Sequence, residues 1–248
     1  LCRRTRHYLL FYAGLEGLLS IYLLLSPWVI AGLDVVFADW LPNLGHETPA
    51  AHAARRAVAD GHPGVKVKVG SGSFDLDLER VASVREAIGG AGLRLDANGA
   101  WTVDEAIDHL GRLVEFDPEF VEEPTAGLDE LAAVRAVSVV PVAVDESAPD
   151  LTAVERALAV GAPDVLVLKP SALGGPRPTV EATRMAKDAG VTVVVTSLLE
   201  GSIGIRAAAH LASALGLMDP APGLATADLL DVDPGEPLIP DSGALVLD

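Results

Sequence analysis

Lys66 and Lys68 lie one residue apart in the β-rich run Val65–Val69, and each of the next four such runs closes on an ionisable residue. These are Asp96, Glu122, Asp145 and Lys169, at steps of 28, 26, 23 and 24 residues from Lys68 onward. One acidic residue after a strand is ordinarily a helix cap or a turn former. Five adjacent strands all delivering such groups at one strand–helix interval are hard to produce by capping alone. The pattern places them together at the C-terminal ends of their strands. Three carboxylates that close cannot all stay ionised without a counterion. Oxygen donors from separate strands, with room for water and a ligand, suit Mg2+, with Mn2+ able to take its place. No His or Cys stands at these positions to favour zinc or a redox metal. The competing reading is a set of surface carboxylates paired with arginines, for which Arg94 is the neighbour in sequence.

The spacing of two turns Lys66 and Lys68 to the same side of their strand. Two ammonium groups in a confined site depress each other's pKa, which makes one of them a usable base near neutrality. Lys169, four strands round, would face the same ion from the far side. A base on either side of a metal-held carboxylate is a device for removing the proton α to that carboxylate, the metal stabilising the enediolate. The ligand so implied is a small-molecule carboxylate. A solvent-facing strand edge is the bland alternative for the lysine pair.

The elements that must position these groups can be read from periodicity. Strands are predicted at Val35–Ala38, Val65–Val69, Leu93–Ala97, Phe120–Glu122, Val142–Asp145, Val165–Leu168 and Val191–Thr196, with an eighth near Leu224–Ala225. Amphipathic segments at 48–60, 75–88, 103–115, 128–137, 150–159, 177–189 and 202–214 fall between them. Thr102 with Glu105 three residues on is a capping-box pattern, and Gly90, Gly161 and Gly190 sit where helices stop. Such alternation implies a parallel sheet. Its repetition predicts an α/β fold of the TIM type, a closed (β/α)7β barrel, rather than an open sheet. No glycine fingerprint for a dinucleotide follows the early strands.

Composition narrows the function classes. Half the residues are apolar, which excludes global disorder. A net charge of −17 argues against nucleic acid or anionic lipid as the main partner. Cys2 is the only cysteine, which excludes disulfide scaffolds and cysteine zinc sites. Fourteen arginines stand against four lysines, and that imbalance with the acidic excess resembles adaptation to high salt. Arg3, Arg4, Arg6 and His7 precede an apolar stretch, and residues 17–33 carry no charge, a length at the lower limit for a bilayer span. Glu16, Pro27 and Asp34 bound or interrupt it, so membrane contact through 17–33, a buried helix and a segment foreign to the domain all stay open. The division expected is an apolar segment over 1–33 and a catalytic barrel over 34–248.

The motifs Val-Lys66-Val-Lys68, Leu-Asp96-Ala-Asn98-Gly-Ala-Trp101, Val-Glu122-Glu123-Pro124, Val-Asp145-Glu146-Ser147 and Leu-Lys169-Pro170 resemble the muconate-lactonizing-enzyme branch of the enolase superfamily. Within it, Lys169-Pro-Ser-Ala-Leu-Gly174-Gly175, Thr196-Ser197-Leu-Leu-Glu200 and the stretch from Gly223 through Asp228 are most similar to the o-succinylbenzoate synthases of menaquinone biosynthesis. The resemblance implies Mg2+ held by Asp96, Glu122 and Asp145, and Lys68 as the base that takes the α-proton. It implies that Lys66 tunes Lys68, and that Lys169 stabilises the enediolate from the opposite face. Asn98 and Glu146 would hold ligands or lysines in place. Ser197 would bind a substrate carboxylate, with a helix cap or turn hydroxyl as its plain alternative, and Glu123 could replace Glu122 as the ligand. A cytoplasmic lyase that self-associates follows from the same resemblance. N-acylamino acid racemase or dipeptide epimerase activity is the first alternative, and a catalytically silent scaffold is the second. Nothing in 1–33 resembles the α+β capping domain of that branch, so a barrel without its lid is expected.

Overall fold

The computed structural model describes residues 48–227, 230, 233 and 236–247. Within the compact unit Ala50–Asp248 strands and helices alternate as the periodicity requires. The order is α1 (Pro49–Ala59), β1 (Gly64–Lys68), α2 (Phe74–Ile88), β2 (Gly92–Asp96), α3 (Val103–Leu113) with a 3-10 turn at Val114–Phe116, β3 (Phe120–Glu122), α4 (Leu128–Arg135), β4 (Val142–Val144), α5 (Leu151–Val160), β5 (Val165–Leu168), α6 (Pro176–Asp188), β6 (Thr192–Val195) and α7 (Ser202–Leu215). The strands form one sheet in the order β1 to β6, and every neighbouring pair is parallel.

All of the helices expected between 48 and 214 are present, with ends shifted by a residue or two. Helix α3 begins with the expected capping box: the Thr102 hydroxyl accepts from the Glu105 amide, and the Glu105 carboxylate accepts from the Thr102 amide. Gly161 ends α5 in the left-handed conformation, whereas α2 ends on Gly89, one residue before the glycine expected. Strand Val35–Ala38, the apolar stretch 17–33 and the Asp228 end of the last motif lie outside the described residues. Near 224–225 no strand forms. The pairing there is a single parallel bridge between Thr196 and Gly223, because the chain leaves the sheet after one rung, held by the Gly223 amide on Val195 O and the Ser197 amide on Gly223 O. Among the described residues no strand joins β6 to β1, so they form a six-stranded curled half-barrel. Among them, too, no helix is long and apolar enough to cross a membrane.

Alternation within each strand explains the two faces of the sheet. Leu93, Leu95, Val121, Val142, Val144, Leu166, Leu168, Val193 and Val195 pack outward with helical residues such as Val81, Val84, Leu110, Leu131 and Val154. The other parity forms a separate inner cluster of Phe120, Ala143, Val165, Val167 and Val194. Strands buried on both faces must read as apolar runs, as β4 and β5 do. Arg94, inward-facing on β2, lies over the Phe120 ring, pairs with Glu119 at 2.6 Å and donates to Ala221 O at 2.8 Å. It therefore braces the floor of the sheet and leaves the acidic residues above it to other partners.

Loss of the Thr102 hydroxyl removes one arm of the capping box, and caps of this kind stabilise by about 1 kcal/mol. Thr102→Ala should lower unfolding stability by about that amount in chemical denaturation, with no change in the cooperativity of the transition.

Candidate active site

Lys66, Lys68, Asp96, Glu122, Asp145 and Lys169 share the parity of the inner cluster and form the layer above it. The register shows how they meet. Lys68 pairs with Asp96 and Asp96 with Glu122, so these three stand level. Glu122 pairs with Ala143, two residues short of Asp145, and Ala143 pairs with Val165, four short of Lys169. Each later group is thus carried further along its strand, which the tilt of strands in a curled sheet offsets. Asp96, Glu122 and Asp145 retain 1%, 1% and 6% of their full exposure.

Buried carboxylates need compensation, and here the lysines provide it. The Lys66 ammonium lies 3.0 Å from Glu122 Oε1 and 3.1 Å from Asp96 Oδ2. Lys68 is hydrogen-bonded to Asp96 Oδ2 and, at 2.7 Å, to Asn98 Oδ1. Lys169 is hydrogen-bonded to Asp145 Oδ2. The arginine-paired alternative therefore does not describe these acids. As placed, one oxygen of each carboxylate is held by an ammonium group, and among the described residues no three Asp, Glu, His or Cys side chains converge to hold an ion. The donor set itself is all carboxylate oxygen and suits a hard divalent cation rather than a soft one.

Burial pushes the Glu122 carboxyl up to about 8; Lys66 opposes the shift, whereas Asp96 and Asp145 add to it. For Asp96, burial also acts upward, but its contacts with Lys68 and Lys66 prevail and the net shift is downward. Lys66 differs from the expectation of a depressed ammonium. Burial lowers its pKa, yet Glu122 and Asp96 outweigh burial and raise it. Lys66 answers to the carboxylates first, since they are its nearest charges.

A second set of contacts holds this layer. The Asn98 amide nitrogen of the side chain donates to Glu146 Oε1 at 2.8 Å, and the Asn98 backbone N–H donates to Asp96 Oδ1 at 3.0 Å. Asn98 thus joins Lys68, Asp96 and Glu146, with its backbone in the left-handed region (φ 47°). Glu123 does not share the position of Glu122. Its buried carboxylate accepts from the Asp145 amide at 2.9 Å and from the Ser147 hydroxyl, so it fixes the backbone of its neighbour. Burial raises the Glu123 pKa, against those hydrogen bonds. Ser197 is joined to Thr226 at 2.9 Å, and its described hydrogen bonds do not reach the lysines or the carboxylates. The sequence reading missed the roles of Glu123 and Ser147. A Glu-Glu pair at the end of a three-residue strand was the signal, because adjacent side chains must diverge.

The family model for the enolase C-terminal domain-like family matches residues 49–247, and the chain belongs to that family. Among its relatives, the o-succinylbenzoate synthase of Thermobifida fusca is 42% identical over 209 residues, which are 83% of this chain and 64% of that one. Muconate lactonizing enzyme from Pseudomonas putida superposes with a TM-score of 0.76 at 25% identity, covering 82% of this chain and 58% of that one. Dipeptide epimerase from Enterococcus faecalis V583, complexed with Mg and the dipeptide L-Leu-L-Tyr, superposes at 0.69 with 30% identity, covering 74% and 52%. The chain thus spans somewhat less than two thirds of the length of these relatives.

The Glu122 shift has a defined sign. A carboxyl held near 8 in the folded state and near 4.5 when unfolded contributes stability that is present below 4.5 and lost as pH rises towards 8. In buffer with a chelator, the stability of the wild-type chain should fall between pH 5 and 8, and Glu122→Gln should flatten that slope in urea titrations at each pH.

Proposed function

We propose that the chain carries the catalytic barrel of an o-succinylbenzoate synthase, a closed (β/α)7β barrel whose Lys68 moves a proton during loss of water from a succinyl-hydroxycyclohexadiene carboxylate. The observation that carries the proposal is the arrangement of Lys68 and Lys169 on either side of three buried carboxylates, supported by the 42% identity to a synthase. Asp96, Glu122 and Asp145 would hold a divalent cation, Mg2+ by the chemistry of their oxygens. Such a cation, when bound, supplies positive charge where negative charge develops on the substrate carboxylate.

The chain's own residues account for the remaining work. Lys68, as the free amine, takes the proton from the carbon α to the carboxylate. The resulting ammonium then gives that proton to the departing hydroxyl on the same face, so the bond lost is C–O and the product is water. Lys169, as ammonium, lies across the carboxylates and offsets the charge that develops on the other face. Lys66, its pKa raised by Glu122 and Asp96, stays protonated and keeps a positive charge beside Lys68. Asn98 orients Lys68, and Glu146 orients Asn98. Ser197 would offer its hydroxyl to a carboxylate of the substrate at the end of β6.

Likeness to the Enterococcus faecalis dipeptide epimerase favours one second reading, in which the two lysines exchange the α-proton of an acylated amino acid or dipeptide from opposite faces. The two are separated by incubation with each substrate class and Mg2+ in deuterated solvent. The synthase reading expects loss of water, and Lys68→Ala should lower kcat/KM at least about a hundredfold. Exchange of the α-hydrogen without loss of water would favour the epimerase. Turnover that survives Lys68→Ala, or no turnover of either substrate class, would contradict the assignment.

A further inference from the structure

The end of β1 is held by two side chains from α2 whose arrangement the motifs did not single out. Just after β1 the Val69 amide donates to Asp96 O, so that amide is spent on β2. Alternate residues of a parallel strand turn their backbone groups to opposite edges, and the Lys68 carbonyl and the Gly70 amide therefore face the other edge. Backbone groups at a strand end that no strand pairs must find other partners. Arg80 Nη1 donates to Lys68 O at 3.0 Å, and Asp77 Oδ2 accepts from the Gly70 amide at 2.7 Å. The same Arg80 nitrogen donates to Asp77 Oδ1 at 2.7 Å, so the two side chains form one unit. Together they offer one donor and one acceptor, spaced as a neighbouring strand would offer them. Asp77 retains 1% of its exposure, and a carboxylate so buried in a helix is costly unless paired.

The unit acts where the loop geometry has little slack. Gly70 has φ 83°, and a Cβ there would stand 2.6 Å from Ala100 Cβ. The close approach of residues 70 and 100 sets the end of β1 against the loop that carries Asn98, and Asn98 is the partner of the Lys68 ammonium. We infer that Asp77 and Arg80 are positioning residues for Lys68: they clamp its carbonyl and the amide two residues on, and thereby hold its side chain between Asp96 and Asn98. As far as catalysis is concerned, this rests on Lys68 being the proton-transferring group.

The test uses the scarcity of lysine. With four lysines in the chain, protein labelled with 13C-lysine gives four resolvable Cε environments, and the Lys68 signal is assigned by its loss in Lys68→Arg. In Arg80→Ala the Lys68 Cε signal should shift or broaden while those of Lys169 and Lys187 stay in place. Arg80→Lys, which restores one donor and adds one identifiable signal, should return Lys68 towards its original position. On turnover, kcat should fall by roughly tenfold or more with KM little changed. If Arg80→Ala does not fold, Asp77→Asn serves instead, since it keeps an acceptor for Gly70 but loses the charge that anchors Arg80. A lowered melting temperature with the Lys68 signal unmoved would overturn the inference, as would equal movement of all four lysines. If the wild-type chain turns over no substrate, the synthase reading fails while the spectra still decide whether the clamp sets Lys68.

Discussion

Burying three carboxylates at one end of a parallel sheet is the constraint on which the rest of this structure depends. Each loses hydration that water would otherwise give it, and each repels the other two, so positive charge must be brought to them. Lys66, Lys68 and Lys169 meet that demand from both flanks, with β1 on one side and β5 on the other. The compensation is uneven: Asp96, between two ammonium groups, remains an easy acid, whereas Glu122 sits among other acids and resists ionisation despite Lys66. A divalent cation at this layer would relieve that imbalance and release ammonium groups for proton transfer. The same electrostatics thus underlie both the stability of the layer and its proposed chemistry.

The scaffold makes this arrangement possible by separating tasks between strand faces. Outward residues bind the sheet to its helices, the lower inward residues form a mostly apolar floor braced by Arg94, and the ionisable groups of the site gather at the C-terminal ends of β1 to β5. Because the strands tilt, side chains at different heights along β3, β4 and β5 arrive at one level. Beside the charged layer a buried carboxylate, Glu123, holds the backbone of Asp145, and at the end of β1 Arg80 holds the carbonyl of Lys68 while Asp77 holds the Gly70 amide. These supports fix peptide groups rather than side-chain tips.

Much of this was legible in the sequence because it rests on period and parity. Strand β5, Val-Leu-Val-Leu followed by Lys169, could be read as doubly buried with its cation at the top, and the Thr102–Glu105 box marked the start of α3. Lys68, Asp96 and Glu122 were expected together from steps of about one strand–helix unit, and the register sets the three level. What escaped the reading depends on direction across space rather than along the chain. The carboxyl of Glu123 turns away from Glu122 because neighbours on a strand point apart, yet which of them meets the lysines is decided by the pleat. Asp77 and Arg80 are spaced i,i+3 on α2, and their role shows only in the bonds they make to the Gly70 amide and Lys68 O. The end of the sheet was misread for a similar reason: Leu224 and Ala225 are apolar enough for a strand, but pairing stops at Gly223.

The most direct test of the account is to find where a divalent cation binds. Crystals grown with Mn2+ and measured at its absorption edge should show an anomalous peak bounded by the carboxylates of Asp96, Glu122 and Asp145, with Lys68 and Lys169 on either side. An anomalous peak elsewhere, or three carboxylates still joined to their lysines with no peak at saturating Mn2+, would contradict it.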